Sequence, residues 1–322
     1  MRRRLLLASP AILLGGVSAR AQTAWTDRPI RVIVPFAGGG PSDAVARISA
    51  EAASQVLGQR ITIENRPGAG AVVGTEAVYR APADGSTFLM TTVAHAVSPS
   101  VIARLPYDPD KDFRGVALTG TVPLVICVAP SSPATDFPAL LAMLRAQPGV
   151  FDYGTAGLGS AQHLGGALLV SMAGLTVTHV AYRGNPSATT DLMAGRLAFV
   201  AESAASMVPL VRSGALRALA VTGATRLPQL PEVPTASESG LPGYEAYTWN
   251  AFLARVGTPE AAILGLNAAI NAGLKNPATA ARLRDIGVEV TDSTTPASTD
   301  AFLTQQAAKW RPMLAAAGVK PE

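Results

Sequence analysis

The chain has 322 residues, 48% of them hydrophobic, 15% charged and 5% aromatic, with one cysteine. This composition excludes a disordered chain and argues against a base-stacking platform, and the lone Cys127 excludes an intramolecular disulfide or a cysteine zinc site. The formal charge of +4 resides in Arg2, Arg3, Arg4 and Arg20, in an N-terminal segment without acidic residues, so it predicts no nucleic-acid partner.

Arg2-Arg3-Arg4 precede the uncharged run Leu5–Val17, and Ala19-Arg20-Ala21 supplies a small-x-small cleavage pattern. Together they predict a cleaved export signal over 1–21, with Gln22 as the new N-terminus, and a mature chain that works outside the cytoplasm. Arg2-Arg3 followed by Leu5-Leu6 also suits twin-arginine export. The apolar run is shorter than the roughly 20 residues that span a bilayer. Tyr153–Tyr182 is also uncharged, but its six glycines and two histidines fit a buried helix followed by a strand.

Beyond the signal, β-rich runs alternate with Ala/Leu-rich ones, the pattern of an α/β fold. Ile30–Pro35 reads as a buried strand, Ser42–Leu57 as a helix, Arg60–Glu64 as a strand, Val72–Arg80 as a helix and Thr87–Thr92 as a strand. Gly115–Val128 is a β-branched run interrupted at Pro123; it is longer than an ordinary strand and suits a crossing between two domains. Leu140–Ala146 reads as a helix, Phe151–Thr155 as a strand, and a helix begins at Ser160. Thr176–Ala181 and Arg217–Val221 follow as strands, with a helix around Ala188–Ala194 between them. Four prolines mark Leu227–Gly243 as a structured connection, Tyr247–Ala254 returns as a strand, and the chain ends in helices over Pro259–Leu274, Pro277–Ile286 and Ser298–Ala317.

Two strand–loop–helix units carry the candidate chemistry. In the first, Phe36, Ala37, Gly38, Gly39 and Gly40 lead to Pro41, Ser42 and Asp43. Glycines allow close backbone approach, and a helix N-terminus offers unpaired N–H groups to an anion. Pro41 suits the first turn and Ser42 or Asp43 suits a cap. Neither a Walker A nor a Rossmann pattern is present, and a plain tight turn fits the loop equally well. In the second unit, Thr155, Ala156, Gly157, Leu158, Gly159, Ser160 and His163 repeat the arrangement. A pair of such loops favours a carboxylate or phosphate gripped between lobes.

Ser160 and His163 also raise a hydrolase reading, which their i,i+3 spacing and the absence of G-x-S-x-G weaken. No metal is expected, because the histidines lack ligand-spaced partners. His95, with Thr92 beside it, follows a strand where it would face a cleft, while His179 reads as packed within a strand. Arg183 is a candidate carboxylate partner, and Glu202, beside Ser203 in an apolar run, is either a cleft residue or a buried, paired carboxylate.

Several stretches together resemble the Bug family of periplasmic solute receptors, which serve tripartite tricarboxylate transporters. They are Pro29–Asp43 with Arg47, Glu64–Gly70, Ala83-Asp84-Gly85, Tyr107-Asp108-Pro109 with Asp112-Phe113, Gly154–Leu164, His179–Gly184, Leu216–Thr222, Val233-Pro234-Thr235 and Lys309-Trp310. The resemblance implies a two-lobed, Venus-flytrap α/β fold with crossovers near Leu118–Val125 and Tyr247–Ala254. It divides the chain into a first lobe of 22–121 plus 250–322 and a second of 122–249. It also implies a small carboxylate held partly through ordered waters, with the grip falling on Phe36, Gly38, Gly39 and Asp43 and on Thr155, Ala156, Ser160 and His163. Asp43 is taken as a helix cap or a partner for water or an amino group, since a carboxylate repels a carboxylate. No cofactor and no catalysis are expected; a monomer is, with transporter membrane subunits or a sensor kinase as its partner.

Where the family has Gly-x-Val-Asp and then an acidic or amide position, this chain has Gly195-Arg196-Leu197-Ala198 and then Glu202-Ser203. The family's His-Val-Pro-Tyr reads His179-Val180-Ala181-Tyr182. The resemblance therefore implies an altered far wall of the cleft.

Overall fold

The computed structural model describes residues 29–182 and 184–321; the export segment and Arg183 lie outside the described residues. The first lobe opens with strand β1 (Ile30–Val34), helix α1 (Pro41–Leu57), strand β2 (Ile61–Asn65), a 3-10 turn (Ala69–Ala71), helix α2 (Val72–Arg80), strand β3 (Thr87–Thr91) and helix α3 (Val93–Val101). Strand β4 (Phe113–Val128) then leads into the second lobe: helix α4 (Phe137–Ala146), β5 (Asp152–Thr155), α5 (Ala161–Met172), β6 (Thr178–Ala181), α6 (Asn185–Met193), β7 (Phe199–Ser203), α7 (Ala204–Arg212) and β8 (Arg217–Val221). The chain returns through β9 (Tyr247–Arg255) and closes the first lobe with α8 (Glu260–Leu274), α9 (Pro277–Asp285), β10 (Glu289–Val290) and α10 (Pro296–Ala316).

The strands order as β2-β1-β3-β9-β4-β7-β5-β6, with β8 and β10 also paired to β4. β1 runs parallel to β2 and β3, and β5 runs parallel to β6 and β7, so each lobe has its own parallel βαβ half. The long β4 serves both. Phe113–Pro123 pairs antiparallel with β9, whereas Leu124–Cys127 pairs with β7 and Val125–Val128 with β8. Pro123 does not interrupt it, because the strand changes neighbours at that residue. Buried Thr222 laces the two crossings together there: its Oγ1 accepts the Leu124 amide at 2.8 Å and donates to the Ala246 carbonyl.

Parallel strands covered on both faces must be apolar throughout. Accordingly Ile30, Val32, Ile33 and Val34 are wholly buried, with α1 and α8 over one face. The other face carries α3 and α10 around Trp249 and Trp310. In the second lobe α5 lies so close to β5 that a side chain on Gly166 would meet the Tyr153 ring at 2.3 Å. Two helices go beyond the sequence expectation. α3 contains Pro99, whose missing N–H leaves the His95 carbonyl to the Ser98 hydroxyl at 3.0 Å. α7 follows β7 without any turn, so Leu197–Met207 contains both a strand and a helix start.

Candidate ligand-binding cleft

Both βα loops leave the C-terminal ends of central parallel strands, the position at which open α/β sheets bind ligands. In the first, Gly40 is the N-cap of α1 in extended backbone and Pro41 takes the first helical position. The structure corrects the expectation that Ser42 or Asp43 caps α1, since the cap has no side-chain bond. Asp43 reaches back instead. Its Oδ2 accepts the Gly39 amide at 2.8 Å and Arg47 Nε at 2.9 Å, and its Oδ1 accepts Asn65 Nδ2 at 2.9 Å. Burial raises the Asp43 carboxyl pKa, but the bonds from Arg47, Gly39 and Asn65 outweigh it and hold it below its usual value. The Gly39 amide is therefore committed to Asp43, and the residue turns at φ +79°, which only glycine takes without strain. Asn65 also donates to the Phe36 carbonyl at 3.1 Å. Ala37, Gly38 and Gly39 remain exposed and Phe36 is half-buried.

The second loop is held from behind. Thr155 is buried; its Oγ1 accepts the Gly157 amide at 3.2 Å and lies 2.6 Å from His179 Nε2. Ser160 is the N-cap of α5, accepting the His163 amide at 3.2 Å and donating to the Gly157 carbonyl at 2.7 Å. His163 Nδ1 accepts the Gly159 amide at 3.2 Å. Ala156 and Gly157 are half-buried between these anchors. The rings of His163 and His179 stack at 4.3 Å, and His179 stacks in turn on Tyr153 at 5.1 Å. Burial, and then the neighbouring His179, lower the His163 pKa to about 4; burial lowers that of His179. Both imidazoles are thus neutral at pH 7 and line an outward groove of ≈ 710 Å³ with α5 and the C-terminal residues.

Glu202 is the penultimate residue of β7, and it bonds to Gln162 of α5. Its Oε1 accepts Gln162 Nε2 and Asn185 Nδ2, both at 2.8 Å, and the Ser203 amide at 2.7 Å. It is buried, with neutral hydrogen-bond donors as its partners, and burial pushes its pKa up to about 7 against those hydrogen bonds. Ser203 lies next to the first turn of α1, facing Pro41 and Ser42 across a cavity of ≈ 20 Å³.

Thr92 and His95 lie elsewhere. Thr92 caps α3 by accepting the Ala94 amide at 3.4 Å. Contrary to the expectation of a cleft position, His95 turns away from both loops. Its Nε2 lies 3.2 Å from the Pro109 carbonyl, its ring stands edge-on to Phe113, and it borders a groove of ≈ 720 Å³ beneath α10. The opposite face of α3 meets the second loop, where a Cβ on Gly159 would lie 3.0 Å from Val101. Across the cleft, Gln229 Nε2 donates to the Arg284 carbonyl at 2.6 Å.

Sequence reasoning passed over Asn65, Gln162, Asn185 and Asn250 as individual site residues. Asn250 alone had a local signal, as an amide inside the otherwise apolar run Trp249–Leu253. Among the described residues no group of three His, Cys, Asp or Glu is placed to hold a metal ion, and no helix is long and apolar enough to cross a membrane.

Comparison with known proteins places these features in a family. The tripartite tricarboxylate transporter family receptor matches residues 45–319. The periplasmic binding protein BugD is 32% identical with a TM-score of 0.81, over 92% of this chain and 99% of its own. Rpa4515 of R. palustris, solved with adipate, is 33% identical with a TM-score of 0.84, over 92% and 100% of the two chains. MatC of Rhodopseudomonas palustris, solved with bound malate, is 31% identical with a TM-score of 0.79, over 89% and 99%. On this similarity, which spans both lobes, the chain belongs to the Bug-type receptor family of the tripartite tricarboxylate transporters.

Proposed function

We propose that the mature chain is a periplasmic receptor that closes on one small carboxylate between its βα loops and delivers it to the membrane subunits of a transporter. The observation that carries this reading is that each lobe presents a glycine-rich loop at the N-terminus of a helix, the first leading into α1 and the second into α5. A helix N-terminus attracts an anion through unpaired amides and a partial positive charge. The adipate and malate found in related receptors support a carboxylate as that anion. Phe36, Ala37 and Gly38 on one side, and Thr155, Ala156 and Ser160 on the other, supply the grip. Asp43, Gly39 and His163 hold the loops in shape. Binding energy from amides of both loops then shifts an open–closed equilibrium, with the lobes divided near 121–122 and 249–250. The arginine-rich N-terminus supports export by a cleaved signal.

The protein binds its ligand without turning it over. Ser160 Oγ donates to a backbone carbonyl and receives the amide, not the ring, of His163, which supports capping over nucleophilic attack. A thermal-shift screen of Gln22–Glu322 against mono-, di- and tricarboxylates tests the reading. A hundredfold excess over Kd adds about 2.7 kcal/mol to the native state. A rise in melting temperature with the ligand recovered unchanged is expected. No shift with any carboxylate, or recovery of a hydrolysed product, overturns it. The transporter role, as opposed to a monomer docking onto a sensor kinase, is tested by uptake of that carboxylate in cells lacking the receptor.

A further inference from the structure

Where β7, β9 and the first turn of α1 converge, two polar side chains are buried without hydrogen-bond partners: Ser203 Oγ, in a residue 4% exposed, and Asn250 Oδ1, in a residue 2% exposed. Both residues line the interlobe cavity of ≈ 20 Å³, together with Pro41, Ser42, Val122 and Thr248. Orphaned buried polar atoms cost free energy.

We infer that Ser203 and Asn250 form a hydroxyl-recognising subsite, so that the ligand is a hydroxycarboxylate. Three observations set that class, given the carboxylate reading above on which it rests. The space is about that of one water molecule, too little for a whole carboxylate. No lining residue carries a charge, so a second ionised group has no partner there. A hydroxyl both donates and accepts: it donates to Asn250 Oδ1 while accepting from Ser203 Oγ–H, and it suits the amide in either orientation. The cavity spans the lobes, because Pro41 and Ser42 belong to α1 and Ser203 to β7. A hydroxyl seated in it favours the closed form and adds discrimination to the charge recognised by the loops.

Calorimetric titration of the mature chain with matched pairs tests this: malate against succinate, 3-hydroxybutyrate against butyrate, lactate against propionate. The hydroxylated member of at least one pair is expected to bind about tenfold tighter or more. Ser203→Ala and Asn250→Leu are each expected to reduce that ratio to within about twofold. Should Asn250→Leu fail to fold, Ser203→Ala carries the test. Equal affinities within every pair for the wild-type chain, with both members weakened alike in the variants, mean that water satisfies the two side chains, and overturn the inference while leaving the carboxylate reading intact. Failure of every acid in the panel to bind the wild-type chain overturns both.

Discussion

His163 Nδ1 accepts the Gly159 amide at 3.2 Å, a bond that only the neutral imidazole with an unprotonated Nδ1 can make. Its pKa falls from 6.5 to about 4 on folding, so between these values the unfolded chain binds the extra proton. The contribution is complete above pH 6.5 and is lost as pH falls through about 4, on the order of 3 kcal/mol in all. The melting temperature should therefore fall from pH 6.5 towards 4. His163→Asn should flatten that decline, as differential scanning calorimetry across pH 4–8 will read. An unchanged acid limb in the variant shows that His163 is not the titrating group.

Glu202 titrates with the opposite sign. Its pKa rises from 4.5 to about 7, so the folded chain holds the extra proton between those values. Its contribution is present below pH 4.5 and lost as pH rises through 7. Glu202→Gln removes that loss. Relative to the wild-type chain it should gain on the order of 3 kcal/mol of unfolding free energy between pH 4.5 and 8. Urea denaturation at both pH values measures the difference, and a pH-independent difference contradicts the shift.

Asp43 and Arg47 form an ion pair whose members are unequal in importance. Arg47 is more than half exposed, so Arg47→Ala should cost under about 1 kcal/mol. Asp43→Ala leaves the Gly39 amide without its acceptor and Asn65 with only the Phe36 carbonyl, and should cost about 1–3 kcal/mol. It should also weaken carboxylate binding about tenfold by freeing the first loop. Equal losses from the two variants in paired denaturation and titration experiments would falsify the assignment of Asp43 as the loop's anchor.

The two loops were legible because glycines between an apolar strand and an amphipathic helix leave few local alternatives. What Asp43 does was not, since two of its partners depend on tertiary placement: Asn65 comes from β2, and the Gly39 amide turns inward only in the folded loop. α3 was hidden by Pro99, which reads as a breaker until the Ser98 hydroxyl is seen to satisfy the freed carbonyl. β7 and α7 were hidden because no glycine or proline separates them. The outward turn of His95 was equally invisible, because it follows from the helical phase of α3. Asn250 lies some fifty residues from Ser203 in the chain, and only the adjacency of both β7 and β9 to β4 brings them to one cavity.

Gly166 links packing to the ligand loop through one ring. Its missing side chain admits Tyr153, which stacks on His179, whose Nε2 lies 2.6 Å from Thr155 Oγ1. Both partners of the clash are rigid, since Tyr153 is itself stacked on Phe199 at 5.3 Å and cannot retreat freely. Gly166→Ala should therefore destabilise the fold by about 1–3 kcal/mol even though alanine is the better helix former. The displaced Tyr153 pushes His179 from Thr155, so the same variant should bind carboxylate more weakly. Tyr153→Leu should rescue its stability, because the smaller side chain leaves room for the added methyl. Rescue of stability without rescue of binding is the expected pattern, since the stack on His179 is then gone. If Gly166→Ala proves as stable as the wild-type chain, α5 does not press on β5 as closely as the 2.3 Å approach implies.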